Sequence, residues 1–150
     1  MNLNRRQLLA QTVGLSLAGL FGASTKAFAT PEAVAESVAA FADGSEVGSG
    51  SLKLTAPEIA ENGNSVPIAI SVDSPMTEDN YVKSVALYAD GNPNPDVITF
   101  HFTPASGAAS ASTRMRLAKT QNVVAVAKMS DGSVVSDTRN VKVTIGGCGG

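Results

Sequence analysis

From Ser51 to Ile145 the chain is divided into short apolar, β-branched runs by clusters of turn residues, and this rhythm limits the fold more than any other feature. Ser51-Leu52-Lys53-Leu54-Thr55 alternates with period two, the spacing of a strand with one buried face. Val66 to Val72, Val82 to Ala89 and Val97 to Thr103 are three further strand-like runs. Pro67 points to an edge or a strand end. Ser112 to Ala118 alternates again, and Val123 to Met129 pairs with Val134 to Ile145 across the hairpin turn Ser130-Asp131-Gly132-Ser133. Asp90 to Pro95 is dense in turn residues. Ala105 to Ser112 (ASGAASAS) is low in complexity and reads as a surface loop. Seven short strands of this kind predict an all-β chain, an immunoglobulin-like antiparallel β-sandwich, with a small barrel as the other arrangement. Only the architecture is argued, since the Cys…Trp…Cys pattern of true immunoglobulin domains is absent. The expected core is Leu54, Ile68, Ile70, Val85, Leu87, Ile98, Phe100, Phe102, Leu117, Val124 and Val126.

At 150 residues there is room for one domain. The chain has 1 Cys and 1 His, which excludes an internal disulfide and a structural zinc site of four Cys or His ligands. A Ser-His-Asp triad could draw only on His101, and no phosphate-binding loop of Walker type is present. The expectation is therefore a protein without a cofactor or metal and without catalytic activity of its own.

The amino-terminal part has a different character. Arg5 and Arg6 precede an apolar run from Leu8 to Gly22, followed by Ala27-Phe28-Ala29, the basic, apolar and small-residue order of a signal peptide. The run is only mildly hydrophobic and short for a bilayer span. Asn4-Arg5-Arg6-Gln7-Leu8-Leu9 resembles a twin-arginine export signal, with Asn4 and Leu8 departing from its commonest form. Residues 1–29 are thus read as a signal peptide cleaved after Ala29. That route carries folded proteins, so a partner lacking a signal could leave with the chain. Residues 30–44 follow as a short helix, with Thr30 as cap, Pro31 at the first position and Val34, Val38 and Phe41 on one face. Ser45 to Ser51 reads as a flexible connection to the sandwich of residues 51–145. The signal carries three of the 11 basic residues and none of the 13 acidic ones, so the remaining chain is distinctly acidic. It has no basic stripe, which argues against nucleic acid and against anionic membrane surfaces as partners.

The residue that carries chemistry lies beyond the last strand. Residues 146–150 read Gly146-Gly147-Cys148-Gly149-Gly150. Glycine has the widest backbone freedom, so the five residues are expected to form a flexible arm that puts the sulfur about 10 Å beyond Ile145. A free Cys is usually a small buried hydrophobe, and this one has almost nothing local to pack against. The nearest basic residue upstream is Lys142, and a terminal carboxylate beyond Gly150 would disfavour the thiolate. Activation should come from whichever protein the thiol enters, which favours a carrier over a self-activated enzyme.

The segment Lys142 to Gly150 (KVTIGGCGG) resembles the carboxy-terminal arm of the SoxY family, the sulfur-carrying subunits of the periplasmic Sox thiosulfate-oxidation system. Pro57 to Pro67 (PEIAENGNSVP) and Ser112 to Ala118 (STRMRLA) resemble the same family. The resemblance implies that Cys148 is the covalent sulfur attachment site and that Gly146, Gly147, Gly149 and Gly150 form the arm. It implies a heterodimer with SoxZ, a β-sandwich protein without a signal, exported together to the periplasm. It further implies transient docking to three partners. SoxAX, a haem protein, joins thiosulfate oxidatively to the thiol. SoxB, a dimanganese hydrolase, releases sulfate. In some organisms SoxCD, a molybdenum-haem dehydrogenase, oxidises the outer sulfur.

The remaining candidates have plainer readings. His101 alternates with Phe100 and Phe102 and should face solvent or an interface. Asp73, Glu78 and Asp79 lack the spacing of an EF-hand loop and read as a solvated turn. Arg114 and Arg116 share a strand face that is solvated or meets an acidic partner. A different function is also open on these residues: a secreted immunoglobulin-like binding module whose Cys148 makes an intermolecular disulfide.

Overall fold

The computed structural model describes residues 28–147. The signal segment through residue 27, and Cys148, Gly149 and Gly150, lie outside the described residues. The first element, α1 (Pro31–Ala42), starts where the sequence places it. Thr30 caps it, its Oγ1 accepting the Ala33 N–H at 3.3 Å, and Asp43 ends it in the left-handed region at φ 52°. Nine strands follow: β1 (Val47–Gly48), β2 (Leu52–Thr55), β3 (Ile59–Asn62), β4 (Val66–Val72), β5 (Val82–Ala89), β6 (Asp96–His101), β7 (Ala109–Met115), β8 (Gln121–Met129) and β9 (Val134–Ile145).

They form a two-sheet sandwich. The larger sheet has the order β1-β9-β8-β5-β6, with β3 also on β9, and the smaller is β2-β4-β7. Leu52, Leu54, Ile68, Ile70, Val85, Leu87, Leu117 and Val123 fill the space between the sheets. The outer face of the larger sheet is covered by α1. Val34, Val38 and Phe41 pack there on Ala86, Tyr88, Val126 and Val134. This double coverage explains why β5 does not alternate in burial: six consecutive residues from Ser84 to Ala89 are buried. Burial, with the Asp96 carboxylate nearby, pushes the Tyr88 hydroxyl above its ordinary value, so it stays neutral at physiological pH.

Several expectations need correction. Ala109 to Ser112, expected in a surface loop, belong to β7 and pair with β4 from Val72 to Ala69. Their small side chains suit an edge strand whose outer face needs no bulk. The connection after α1 contains β1, and the segment before Gly63 contains β3; both add in parallel to β9. Ile98 is 40% exposed, and Phe100, Phe102 and Val124 are half-buried, so all four fall short of the full burial expected. The first three lie on or just past β6, an edge strand, whose side chains are covered from one direction only.

The sheets are stitched where β2 meets β9. Leu54 N–H donates to Asp137 Oδ2 at 2.8 Å, and Arg139 Nε donates to the Leu54 carbonyl at 3.1 Å. The two side chains also pair, at 3.3 Å. They give a β2 residue partners that no strand supplies. Asp137→Ala should cost about 1–3 kcal/mol, because it strands a partly buried N–H. The check is a urea titration in which the midpoint falls and the slope is unchanged; a midpoint equal to wild type would refute the stitch.

Candidate functional site

The site is built where β9 leaves the sheet. Its last pair with β8 is Val141 with Gln121. Beyond that, Lys142 to Ile145 run past β8 and are held by β3, in register Ile59 with Lys142 and Asn62 with Ile145. The Lys142 N–H donates to the Glu58 carbonyl at 2.9 Å, and the Val143 N–H to Thr120 Oγ1 at 2.9 Å. The chain thus reaches its final glycines with its backbone still bonded on both sides.

A ring of three backbone hydrogen bonds then receives it. Gly63 N–H donates to the Ile145 carbonyl (2.8 Å), Leu117 N–H to the Gly63 carbonyl (2.8 Å), and Gly147 N–H to the Leu117 carbonyl (2.9 Å). Three separate segments meet here: the β3–β4 turn, the β7–β8 connection and the end of β9. They lie so close that side chains are excluded. A Cβ on Gly63 would stand 2.2 Å from the Leu117 oxygen, one on Gly146 2.2 Å from the Ala118 oxygen, and one on Gly147 2.8 Å from the Gly63 oxygen. Glycine at these positions serves close approach.

Both receiving loops are themselves held. Arg114 on β7 donates from Nε to Ser65 Oγ at 2.7 Å and from Nη2 to the Ser65 carbonyl at 3.2 Å, which ties down the turn after Gly63. Asn64 N–H donates to Asn62 Oδ1 at 2.9 Å within that turn. The β7–β8 connection hangs on Asn92 and Gln121. Asn92 donates to the Arg116 carbonyl and accepts the Ala118 N–H, at 2.9 and 3.0 Å. Gln121 is buried; it accepts the Gly91 N–H at 2.8 Å and donates to Asn92 Oδ1 and to the Lys119 carbonyl at 2.9 and 3.1 Å.

Of the expected arm residues, Gly147 is buried with its N–H bonded to Leu117, and Gly146 is exposed but has no room for a Cβ beside the Ala118 carbonyl. The cause is that a backbone without Cβ atoms fits a crowded junction as readily as it moves in water. Cys148, one peptide bond beyond Gly147, lies outside the described residues with Gly149 and Gly150. The sequence reading missed Gly63, Leu117, Asn92 and Gln121 as parts of this site. The Asn62-Gly63-Asn64 turn signal was visible, but its proximity to Gly147 is set by the parallel β3–β9 pairing, which has no local signature.

The other candidates lie elsewhere. His101 is exposed on β6, as the alternation requires. Asp73, Glu78 and Asp79 are exposed around a turn closed by Thr77 and Asn80. Among the described residues no group of three or more His, Cys, Asp or Glu side chains is placed to hold a metal ion. No helix among them is long and apolar enough to cross a membrane.

The family model and one solved structure give the same family. Residues 38–148 match the family model described as sulfur oxidation protein SoxY, so the match runs through Cys148. The solved structure of the sulfur carrier protein SoxY from Chlorobium limicola f thiosulfatophilum is 30% identical, with a TM-score of 0.64, over 76% of this chain and 98% of that one. Superoxide reductase (neelaredoxin) from Ignicoccus hospitalis aligns at 19% identity and TM-score 0.57 over 77% of this chain and 94% of its own. Superoxide reductase from Nanoarchaeum equitans aligns at 13% and 0.51 over 63% of this chain and 99% of its own. These two share the sandwich fold. No protein of curated function matches the sequence.

Proposed function

The chain belongs to the SoxY family of sulfur oxidation proteins, and from that premise we propose that it carries sulfur covalently on Cys148 and presents it to partner enzymes. The observation that carries this reading is the extent of the family match, whose last residue is the chain's one cysteine. The backbone hydrogen bond of Gly147, the residue before it, supports it: the chain leaves the sandwich at a defined edge.

In this reading thiosulfate is the substrate. The Cys148 thiolate and thiosulfate join through a new S–S bond to give an S-thiosulfonate, and the two electrons released pass to the haem of SoxAX. Hydrolysis by SoxB then breaks the bond between the outer sulfur and the sulfonate sulfur. Water supplies an oxygen, sulfate and two protons leave, and a persulfide stays on Cys148. Where SoxCD is present it oxidises the outer sulfur further. The carrier supplies the thiol and its placement, and the partners supply the redox and hydrolytic chemistry. The protein works in the periplasm, exported by the twin-arginine route together with SoxZ as its heterodimer partner.

The test is the intact mass of the mature protein from thiosulfate-oxidising cells, with and without reductant. A sulfane-sulfur or thiosulfate adduct on the peptide containing Cys148, removed by reductant, is the expected result. A bare thiol, or only a disulfide to another polypeptide, in cells actively oxidising thiosulfate would overturn the reading in favour of a disulfide-linked binding module.

A further inference from the structure

One peptide bond of the β3–β4 turn carries a chemistry that sulfur carriage does not use. Asn62, the last residue of β3, is followed by Gly63. Asparagine is a chemically labile residue. Its side-chain amide is open to attack by the backbone nitrogen of the next residue, and a glycine there obstructs the attack least. Among the asparagines of the described residues only Asn62 has that neighbour. Asn92 and Asn94 precede prolines, whose nitrogen has no proton to lose. Asn122 and Asn140 precede valines, whose branched side chains are stiff and crowd the approach. Asn64 and Asn80 precede Ser65 and Tyr81.

The fold occupies both reacting groups. The Gly63 N–H donates to the Ile145 carbonyl at 2.8 Å, where the pairing of β3 with β9 ends. The Asn62 side-chain oxygen accepts the Asn64 N–H at 2.9 Å, which pins the carbon that would be attacked. Gly63 is buried, its carbonyl bonded to the Leu117 N–H at 2.8 Å, and Arg114 holds Ser65 at the far side of the turn. Asn62 itself is exposed, so water reaches its side chain.

We propose that Asn62 is a site of spontaneous deamidation that the folded turn keeps closed, and that it reacts in chains whose β3 has come away from β9. In the open turn the Gly63 nitrogen attacks the side-chain carbonyl carbon of Asn62. A nitrogen–carbon bond forms, the bond to the side-chain nitrogen breaks, and ammonia leaves with the proton from the Gly63 amide. Water then opens the cyclic imide at either carbonyl, giving aspartate or isoaspartate. Nothing is oxidised or reduced. Either product adds a negative charge to a segment that already holds Glu58 and Glu61. Isoaspartate also inserts one carbon into the main chain ahead of Gly63, which moves the Gly63 N–H off the Ile145 carbonyl. An opening that otherwise closes again becomes permanent.

The test is peptide mapping by mass spectrometry of the full protein, incubated at mildly alkaline pH in buffer and in urea. In urea Asn62 should be the first asparagine converted, with Asn92 and Asn94 unchanged. In buffer its conversion should be slower by about 100-fold or more, a ratio set by the fraction of time the turn is open. Arg114→Ala, which frees Ser65, should speed conversion in buffer at least about threefold and leave the rate in urea unchanged. Ser65→Ala breaks the same tether from the other side and serves if Arg114→Ala lowers the stability of the whole sandwich. Refolded protein in the isoaspartate form should exchange its Gly63 amide about tenfold faster than wild type, while amides in β5 keep their rate.

Equal conversion of Asn62 in buffer and in urea would overturn the protection. Another asparagine converting first in urea would overturn the site. Wild-type rates in both tether variants would show that the turn is not what closes it, and unchanged Gly63 exchange in the isoaspartate form would overturn the permanent opening. None of these readouts depends on sulfur carriage, so the carrier reading stands or falls separately.

Discussion

Cys148→Ser should abolish thiosulfate-dependent electron transfer in the reconstituted system, by at least about 100-fold, and leave the fold untouched. The size follows from the chemistry. The carrier cycle needs a sulfur that forms and releases S–S bonds. A serine oxygen has neither the nucleophilicity nor the bond type to substitute. The absence of a structural effect follows from position. Among the described residues, the ring of hydrogen bonds at the junction is made by backbone groups of Gly63, Leu117, Ile145 and Gly147, which a change of the Cys148 side chain leaves in place. The variant should match wild type in circular dichroism and melting temperature and should still pair with its heterodimer partner. Residual transfer near the wild-type rate would mean that the covalent site is not Cys148. A loss of pairing would mean that the thiol belongs to an interface.

Leu87→Ala should give the opposite pattern, with a large loss of stability and intact sulfur transfer at low temperature. Leu87 is 1% exposed in the middle of β5, flanked by Ala125 on β8 and Ile98 on β6. Truncation removes three buried carbons and leaves a cavity between two sheets that cannot close over it. The expected cost is about 2–5 kcal/mol. For a chain of this size the melting temperature should drop by on the order of 10 °C or more. A drop of less than about 3 °C would show that the sandwich collapses around the void, contrary to the tight interior described here.

The framework of this molecule was legible in its sequence because periodicity is a local property. Val66–Val72, Val82–Ala89 and Val134–Ile145 have the same bounds in the structure as in the pattern of apolar residues, and the helix starts at Pro31 behind its Thr30 cap. What was not legible depends on contacts distant in sequence. β1 and β3 are too short to alternate visibly, and each exists because β9 has an unpaired edge to accept it. Ile98 looked like core because it is apolar and alternates; its exposure comes from the position of β6 at the margin of the sheet. At the site, Cys148 stood out because of its glycine neighbours. The same neighbours suggested freedom for Gly146 and Gly147. A run of glycines is ambiguous between mobility and close packing, and only the approach of Gly63 and Leu117 resolves it.

β9 has a mechanical consequence. Twelve residues long, it is bonded along one edge to β8 and along the other to β1 near its start and β3 near its end. Its hydrogen bonds lie across the strand, while any pull on the terminal cysteine acts along it. Such a load is met in shear, shared by many bonds at once, and does not peel them one by one. In the proposed reading, a partner that holds Cys148 and departs slowly would load β9 in shear, with the force shared among its bonds to β8 and β3.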